Sequence, residues 1–408
     1  MSTQTQVDQP KVIVPEWVHE IKRKYLSQNV SQFIVHGSIN DYVPVQRDGQ
    51  QKYYRLRDFL NEEMFKYKDT VIYLDKAVGI KFKDDKIFGG DGGMRQEFLE
   101  TMKLFDELTD NNFGELSRNP LRSFFTLDTY FNLLVNQDFL DSWVRAVEKA
   151  MAGTSAAKPE ARKQDEDIIE RFMRLSLPEL GDNKDKNGIA RLKERLDQFK
   201  KRLSKPKSIA LIIEYAETLI PMTENASSRP DDQMLLIFMQ KWAKEQKFLD
   251  ADLTIIVLTE NIIDINAQYV RNPFTFDVSI SYPDEANRLA FIHHFLGLHA
   301  GSEAYFEMKP EIMAKNTAGL GLVQLETIMA EAVRNKLPFT NAELTRKKKE
   351  MIEAEAGGLL EFVEGKYSLA DVAGHAHAKK NLLDAARALK AGRPDVMPMG
   401  YLVSGPVG

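Results

Sequence analysis

Met399-Gly400-Tyr401-Leu402-Val403-Ser404-Gly405-Pro406-Val407-Gly408 reads as a short buried strand running into a glycine-rich turn. A phosphate-binding loop has the form G-x-x-x-x-G-K-[ST]: backbone N–H groups cradle the phosphates, the Lys meets their charge and the hydroxyl holds Mg²⁺. Gly405, Pro406, Val407 and Gly408 supply the first half of that form, and the Lys and Ser/Thr that complete it are expected past Gly408. A lone parallel strand leaves its backbone groups unpaired, so the natural reading frame is expected to continue with Thr/Ser-Gly-Lys-Thr/Ser. Outward from the strand lie Tyr367-Ser368-Leu369-Ala370-Asp371-Val372-Ala373-Gly374, then Ala378-Lys379-Lys380 and Leu382-Leu383 on a predicted helix over 376–389.

Composition sets the frame. At 408 residues the length suggests two to three domains, and 43% apolar with 28% charged residues is ordinary for a protein with sizeable cores. A net charge of −5 exerts no general pull on nucleic acid or anionic membrane. The run Arg346-Lys347-Lys348-Lys349 reads as a solvated helix face. There is no cysteine, which excludes disulfides, thiolate catalysis and cysteine metal sites. The polar start of the chain lacks the apolar centre of a signal peptide, and no apolar run approaches the roughly 20 residues of a membrane span. The expected setting is cytoplasmic, without membrane contact.

Taken in order, the aromatic Tyr367, Asp371-Val372-x-Gly374, a helix with Ala378-Lys379 and a strand ending in Gly-Pro-x-Gly resemble the entry to an AAA-type ATPase domain. The resemblance implies ATP and Mg²⁺ as cofactors. It assigns Asp371, Gly374, Gly405, Pro406, Val407 and Gly408 to the nucleotide site of a module beginning near residue 366. The sequence then reads as the N-terminal part of a longer tandem AAA+ protein, cut within a phosphate loop.

Earlier in the chain, 1–12 reads as a tail, and Trp17, Ile21 and Tyr25 at i, i+4, i+8 predict an amphipathic helix. Phe33-Ile34-Val35-His36-Gly37 reads as a strand ending in a turn, 56–65 as a helix and 70–74 as a second strand. The pattern changes over 84–206, which is mostly helical by periodicity and contains an Ala-, Lys- and Glu-rich stretch at 151–167. Apolar strands return at 208–213, 253–259 and 276–280, with a helix at 234–242 between the first two. Continuous apolar strands alternating with helices predict a parallel sheet covered on both faces. From Asp284-Glu285 onward the chain is helical, at 284–295, 322–333 and 341–355.

This order of elements is similar to an AAA+ module whose motifs are eroded. It maps a tail and helix at 1–29, an α/β core at 30–283 with a large helical insertion at about 84–206, a small helical bundle lid at 284–365, and the second module from 366. Where the family's first strand meets its phosphate loop, this chain has His36-Gly37-Ser38-Ile39-Asn40-Asp41 and no Gly-Lys-Ser/Thr. The family's second acidic motif ends in Asp-Glu; here Ala210-Leu211-Ile212-Ile213 is followed by Glu214-Tyr215. Glu214 could still meet a metal ion, whereas Tyr215 cannot replace the carboxylate that polarises the attacking water. Asn261 matches the family's γ-phosphate sensor, or else caps the turn at its strand end. The trans-acting arginine is expected near Arg271, or one turn on at Thr275, but Arg271-Asn272-Pro273-Phe274 departs from Arg-Pro-Gly-Arg.

The resemblance therefore implies an inactive, structural first module and a second module that couples ATP hydrolysis to remodelling of a protein substrate. It also implies self-association into a ring. The rival reading is a non-enzymatic scaffold that hydrolyses nothing; a nucleic-acid motor is disfavoured by the acidic balance. No metal site is assigned: His375-x-His377 sits where the resemblance places the module's first helix, and no third histidine is near it in sequence. Of His293-His294, one is expected to face inward and one outward. Phe88-Gly89-Gly90 is either a plain loop or one of the aromatic-glycine loops with which such rings grip polypeptide.

Overall fold

Runs of apolar residues without polar alternation form strands buried on both faces, and those of this chain build one sheet. The computed structural model describes residues 12–27, 30–109, 112–135, 207–222, 229–336, 338–355 and 368–390, with single positions between 194 and 203. The chain divides into two units, Met1–Leu344 and Thr345–Gly408.

The first unit opens with strand β1 (Val12–Ile13) and helix α1 (Glu16–Leu26), which buries Trp17 and Ile21. Strand β2 (Gln32–Gly37) leads into a hairpin of β3 (Tyr42–Arg47) and β4 (Gln50–Arg55). Helix α2 (Leu56–Phe59) follows and widens into a π turn at Leu60–Met64. After β5 (Thr70–Asp75) and β6 (Gly79–Phe82) come the long helices α3 (Gly93–Thr109) and α4 (Pro120–Val135). Strand β7 (Ile209–Ile213) precedes helices α5 (Pro230–Lys244) and α6 (Gln246–Leu249). Strand β8 (Leu253–Thr259), short helix α7 (Ala267–Val270) and strand β9 (Thr275–Ile280) complete the core. The lid is α8 (Glu285–Leu298), α9 (Pro310–Asn316) and α10 (Leu322–Asn335); α11 (Asn341–Glu355) continues into the second unit, which also holds α12 (Ala376–Lys390).

The sheet order is β6-β5-β7-β8-β2-β9. All pairings are parallel except β5–β6, so the core is the parallel sheet expected from the sequence with one antiparallel strand at its edge. The reversal is local: the Asp75 carboxylate accepts from Ala77 N and Val78 N at 2.8 and 2.7 Å, which closes a tight turn. A second small sheet, β1-β3-β4, is absent from the sequence reading.

Alternate residues of each central strand feed opposite cores, as the period of two requires. Ile34, Ile72, Leu74, Leu211, Ile213 and Val257 join one core, with Phe98, Phe105, Phe124, Phe131 and Trp242 from the helices over that face. Phe33, Val35, Tyr73, Ile212 and Leu258 join the other, with Trp17, Phe59 and the hairpin residues Val43, Val45 and Tyr54. Helices α3 and α4, within the expected insertion, thus belong to the layer that covers the sheet. Residues 136–193, including the stretch at 151–167, lie outside the described residues. Helix α8 starts with Asp284 Oδ1 accepting from Asn287 N at 2.7 Å as an N-cap.

Candidate functional site

Open α/β sheets place ligands at the carboxyl ends of their strands. Here β2 ends at Gly37, whose φ of +91° and close packing admit no other residue: an added Cβ would lie 2.5 Å from Ile280 O. The next residues are tied to the strands on either side, with Gly37 N donating to Glu260 O at 3.0 Å and Ser38 N to Ile280 O at 2.9 Å. The following turn does not form a phosphate cradle running into a helix. It passes through Asp41 into the β3–β4 hairpin, closed by Asp48-Gly49 with φ of +51° and +82° and Arg47 paired with Gln50. That is the two-residue turn an Asp-Gly pair between alternating residues favours, and it is the signal by which the sequence could have revealed the hairpin.

The Asp41 carboxylate spans to the lid. Its two oxygens accept from Leu322 N and Val323 N, each at 2.8 Å, at the first turn of α10. A carboxylate at that end satisfies two amides that lack helical partners and complements the helix dipole. The sequence assigned Asp41 no role, because its partners lie 281 and 282 residues away.

Glu214, at the end of β7, sits in a buried ion cluster. Arg57 Nη2 donates to one carboxylate oxygen, and Lys81 Nζ donates to the other at 2.8 Å. Lys81 also donates to Asp75 Oδ2 at 2.5 Å. The Arg57 guanidinium lies 5.0 Å from the Tyr73 ring centroid and 4.7 Å from that of Phe88. Phe88 therefore packs inward at this cluster, while its neighbour Ile87 is exposed. Burial pulls the Arg57 pKa down, but the hydrogen bond and charge of Glu214 outweigh it and leave the guanidinium above its usual value. Burial pushes the Asp75 carboxyl up, and the Lys81 ammonium with the amides of Val78 and Ala77 holds it below the usual carboxylate range. Lys81 and Arg57 were invisible to sequence reasoning, which treats isolated cations as surface residues.

Tyr215 follows with φ +54° and ψ +48°, a left-handed conformation uncommon for an aromatic residue, and its side chain is exposed. It lines a cleft of about 250 Å³ with Asn40, Arg55, Arg57, Glu214, Glu217 and Glu260. Asn261 is not among the lining residues and its side chain makes no cap; Glu260 faces the cleft and accepts from Asn40 Nδ2 at 2.6 Å. Arg271 is exposed at the end of α7, outside the clefts described here, and the Thr275 hydroxyl is occupied with Tyr269 O and Asn272 O. The sheet thus brings Glu214 and Tyr215 together and leaves Asn261 and Arg271 apart from them. His293 is exposed, and His294 packs 4.9 Å from the Tyr53 ring.

In the second unit, Asp371 Oδ2 accepts from Ser368 N and Ser368 Oγ at 2.7 and 2.8 Å. The backbone bond from Ser368 comes first in holding its carboxyl below the usual range. Gly374 has φ of +70° just before α12. Gly405, Pro406, Val407 and Gly408 lie outside the described residues.

The described residues of the first unit do not fit a magnesium triphosphate. No Lys follows the strand-end glycine, and Glu214 is already bonded to two cations. The cleft between this turn, the end of β9 and the lid holds about 440 Å³ and is lined by Glu16, Glu20, Asp41 and Asp284, with no Lys, Arg or His among its described residues. A phosphate about 4 Å from a carboxylate there would be opposed by about 4 kcal/mol at an effective dielectric constant of about 20. Among the described residues no group of three or more His, Asp or Glu is placed to hold a metal ion.

The chain matches two family models: the AAA+ chaperone N-terminal Rossmann-like domain over residues 8–281, and the AAA+ chaperone second helical domain over 286–357. No curated protein matches it. Among solved structures, a chain in the HORMA:CdnC:Trip13 complex of E. coli MS115-1 is similar at 12% identity and a TM-score of 0.27, covering 65% of this chain and 93% of that one. Strand order, lid and matched models agree, and the chain belongs to the AAA+ chaperone family.

Proposed function

We propose that residues 30–365 form a structural AAA+ module that hydrolyses no ATP, joined to a second module, beginning near 366, that does. AAA+ chaperones generally bind ATP with Mg²⁺, oligomerise and act on protein substrates. In this reading the chain self-associates into a ring, the first module serves as its platform, and hydrolysis in the second drives remodelling of a protein in the cytoplasm. No described helix is long and apolar enough to cross a membrane.

The observation that supports an inactive first module is the pairing of Glu214. Both oxygens of Glu214 already accept from cations, Arg57 and Lys81, whose charges would oppose a Mg²⁺ ion at the same carboxylate. Tyr215 occupies the next position, where a general base would be needed, and it carries no carboxylate. Residues 1–408 with ATP and Mg²⁺ should therefore release no phosphate above background. Turnover that disappears in Glu214→Gln would overturn this reading.

A further inference from the structure

We infer that segment 38–55, standing where a phosphate loop would be, is a built-in fastener that holds the helical lid on the α/β core in one fixed position. The covalent link between core and lid is the short stretch 281–284, after β9. A single peptide link can act as a hinge. Segment 38–55 adds a second attachment that reaches two lid helices at once.

On α10, Asp41 holds the amides of Leu322 and Val323, and Tyr42 Oη donates to Glu326 Oε2 at 2.7 Å one turn further along. Gly321 lets the carboxylate approach, since a Cβ there would sit 2.9 Å from Asp41 Oδ2. On α8, Phe291 packs against one tyrosine from each strand of the hairpin, stacked on Tyr42 at 5.9 Å and edge-on to Tyr53 at 4.9 Å. The Arg55 guanidinium lies 4.5 Å from the Tyr42 ring centroid. The hairpin is itself part of the core: Val43, Val45 and Tyr54 are buried with sheet residues Phe33 and Val35. Rotation of the lid about 281–284 would break the Asp41 bonds and separate Phe291 from both tyrosines together. The joint is therefore closed by residues of the protein itself, without a nucleotide.

The chain has no cysteine, so paired spin labels can be placed without background. Lys66→Cys on the core and Arg334→Cys on the lid are both exposed. In residues 1–408 the label distance should form one narrow distribution, unchanged by millimolar ATP and Mg²⁺. In Asp41→Ala/Tyr53→Ala the distribution should broaden. The Leu322 and Val323 amides should then exchange at least about tenfold faster, while Leu211 and Ile255 in the central strands keep their protection. A broad distribution in the unmodified chain, or a narrow one retained in the double variant, overturns the inference. Asp41→Asn, which keeps the shape and one acceptor oxygen, covers the case of a double variant that fails to fold. It should speed exchange of one of the two amides, and unchanged exchange of both overturns the fastener. The parent and the variants are compared without nucleotide, so phosphate release by the first module would contradict the proposed inactivity and leave that comparison standing.

Discussion

Replacing Lys81 by Met removes the cation at the centre of the buried cluster while keeping nearly the same volume. Lys81, Asp75 and Glu214 expose 7%, 8% and 13% of their side chains, so solvent cannot compensate for the lost charge. Removing one partner of a buried pair typically costs 3–5 kcal/mol, because it strands the other charge. Here neither carboxylate is left bare: Glu214 keeps Arg57, and Asp75 keeps the amides of Ala77 and Val78. The cost should then lie at the low end, about 3 kcal/mol. With a urea dependence of about 3 kcal/mol per molar, the unfolding midpoint should fall by about 1 M. Combining Lys81→Met with Glu214→Gln should cost less than the sum of the single changes by about 1 kcal/mol, since both remove the same Lys81–Glu214 interaction. A midpoint within about 0.3 M of the parent, or strict additivity, would refute the cluster as a coupled buried network.

Gly37→Ala should destabilise by about 2 kcal/mol or more, through its positive φ and the 2.5 Å approach to Ile280 O, and a neutral result in urea unfolding would deny that close packing. Asp75 and Asp85 both have folded-state pKa values below the ordinary value of 3.8; burial raises each, but their hydrogen bonds to Lys81 and Arg95 and to backbone amides outweigh it. Their stabilisation is present above the unfolded value and lost as pH falls through the lower folded values, so the urea midpoint should be flat above about pH 5 and drop below about pH 4. Asp75→Asn should flatten that acid limb, and an unchanged limb would exclude Asp75 as a contributor. Trp242→Phe removes the indole N–H that donates at 2.7 Å to the fully buried Asp128; it should cost about 2–3 kcal/mol in urea unfolding, and a loss below about 1 kcal/mol would show that bond to be dispensable.

The sequence by itself determined the layers. Val71-Ile72-Tyr73-Leu74, 209–213 and 253–258 had to be continuous apolar runs because their alternate residues enter two different cores. Of the lid helices, α8 and α10 were legible from the apolar spacing after Asp284-Glu285 and from 322 to 333, while the short α9 was not, and the Glu214-Tyr215 pair was legible from its place at the end of an apolar run. What only the tertiary structure decided is what those residues touch. Lys81 and Glu214 are 133 residues apart, and they meet because β5 pairs with β6 on one side and with β7 on the other. Arg57 reaches Glu214 from a helix placed by a hairpin that no long-range pattern announces. The Asp48-Gly49 turn is a local signal, but the partners of Asp41, Tyr42 and Tyr53 lie far along the chain in the lid. Local propensity fixes elements within a few turns of chain, whereas charge pairing across such distances follows from strand order and register, and these are set by packing of the whole core.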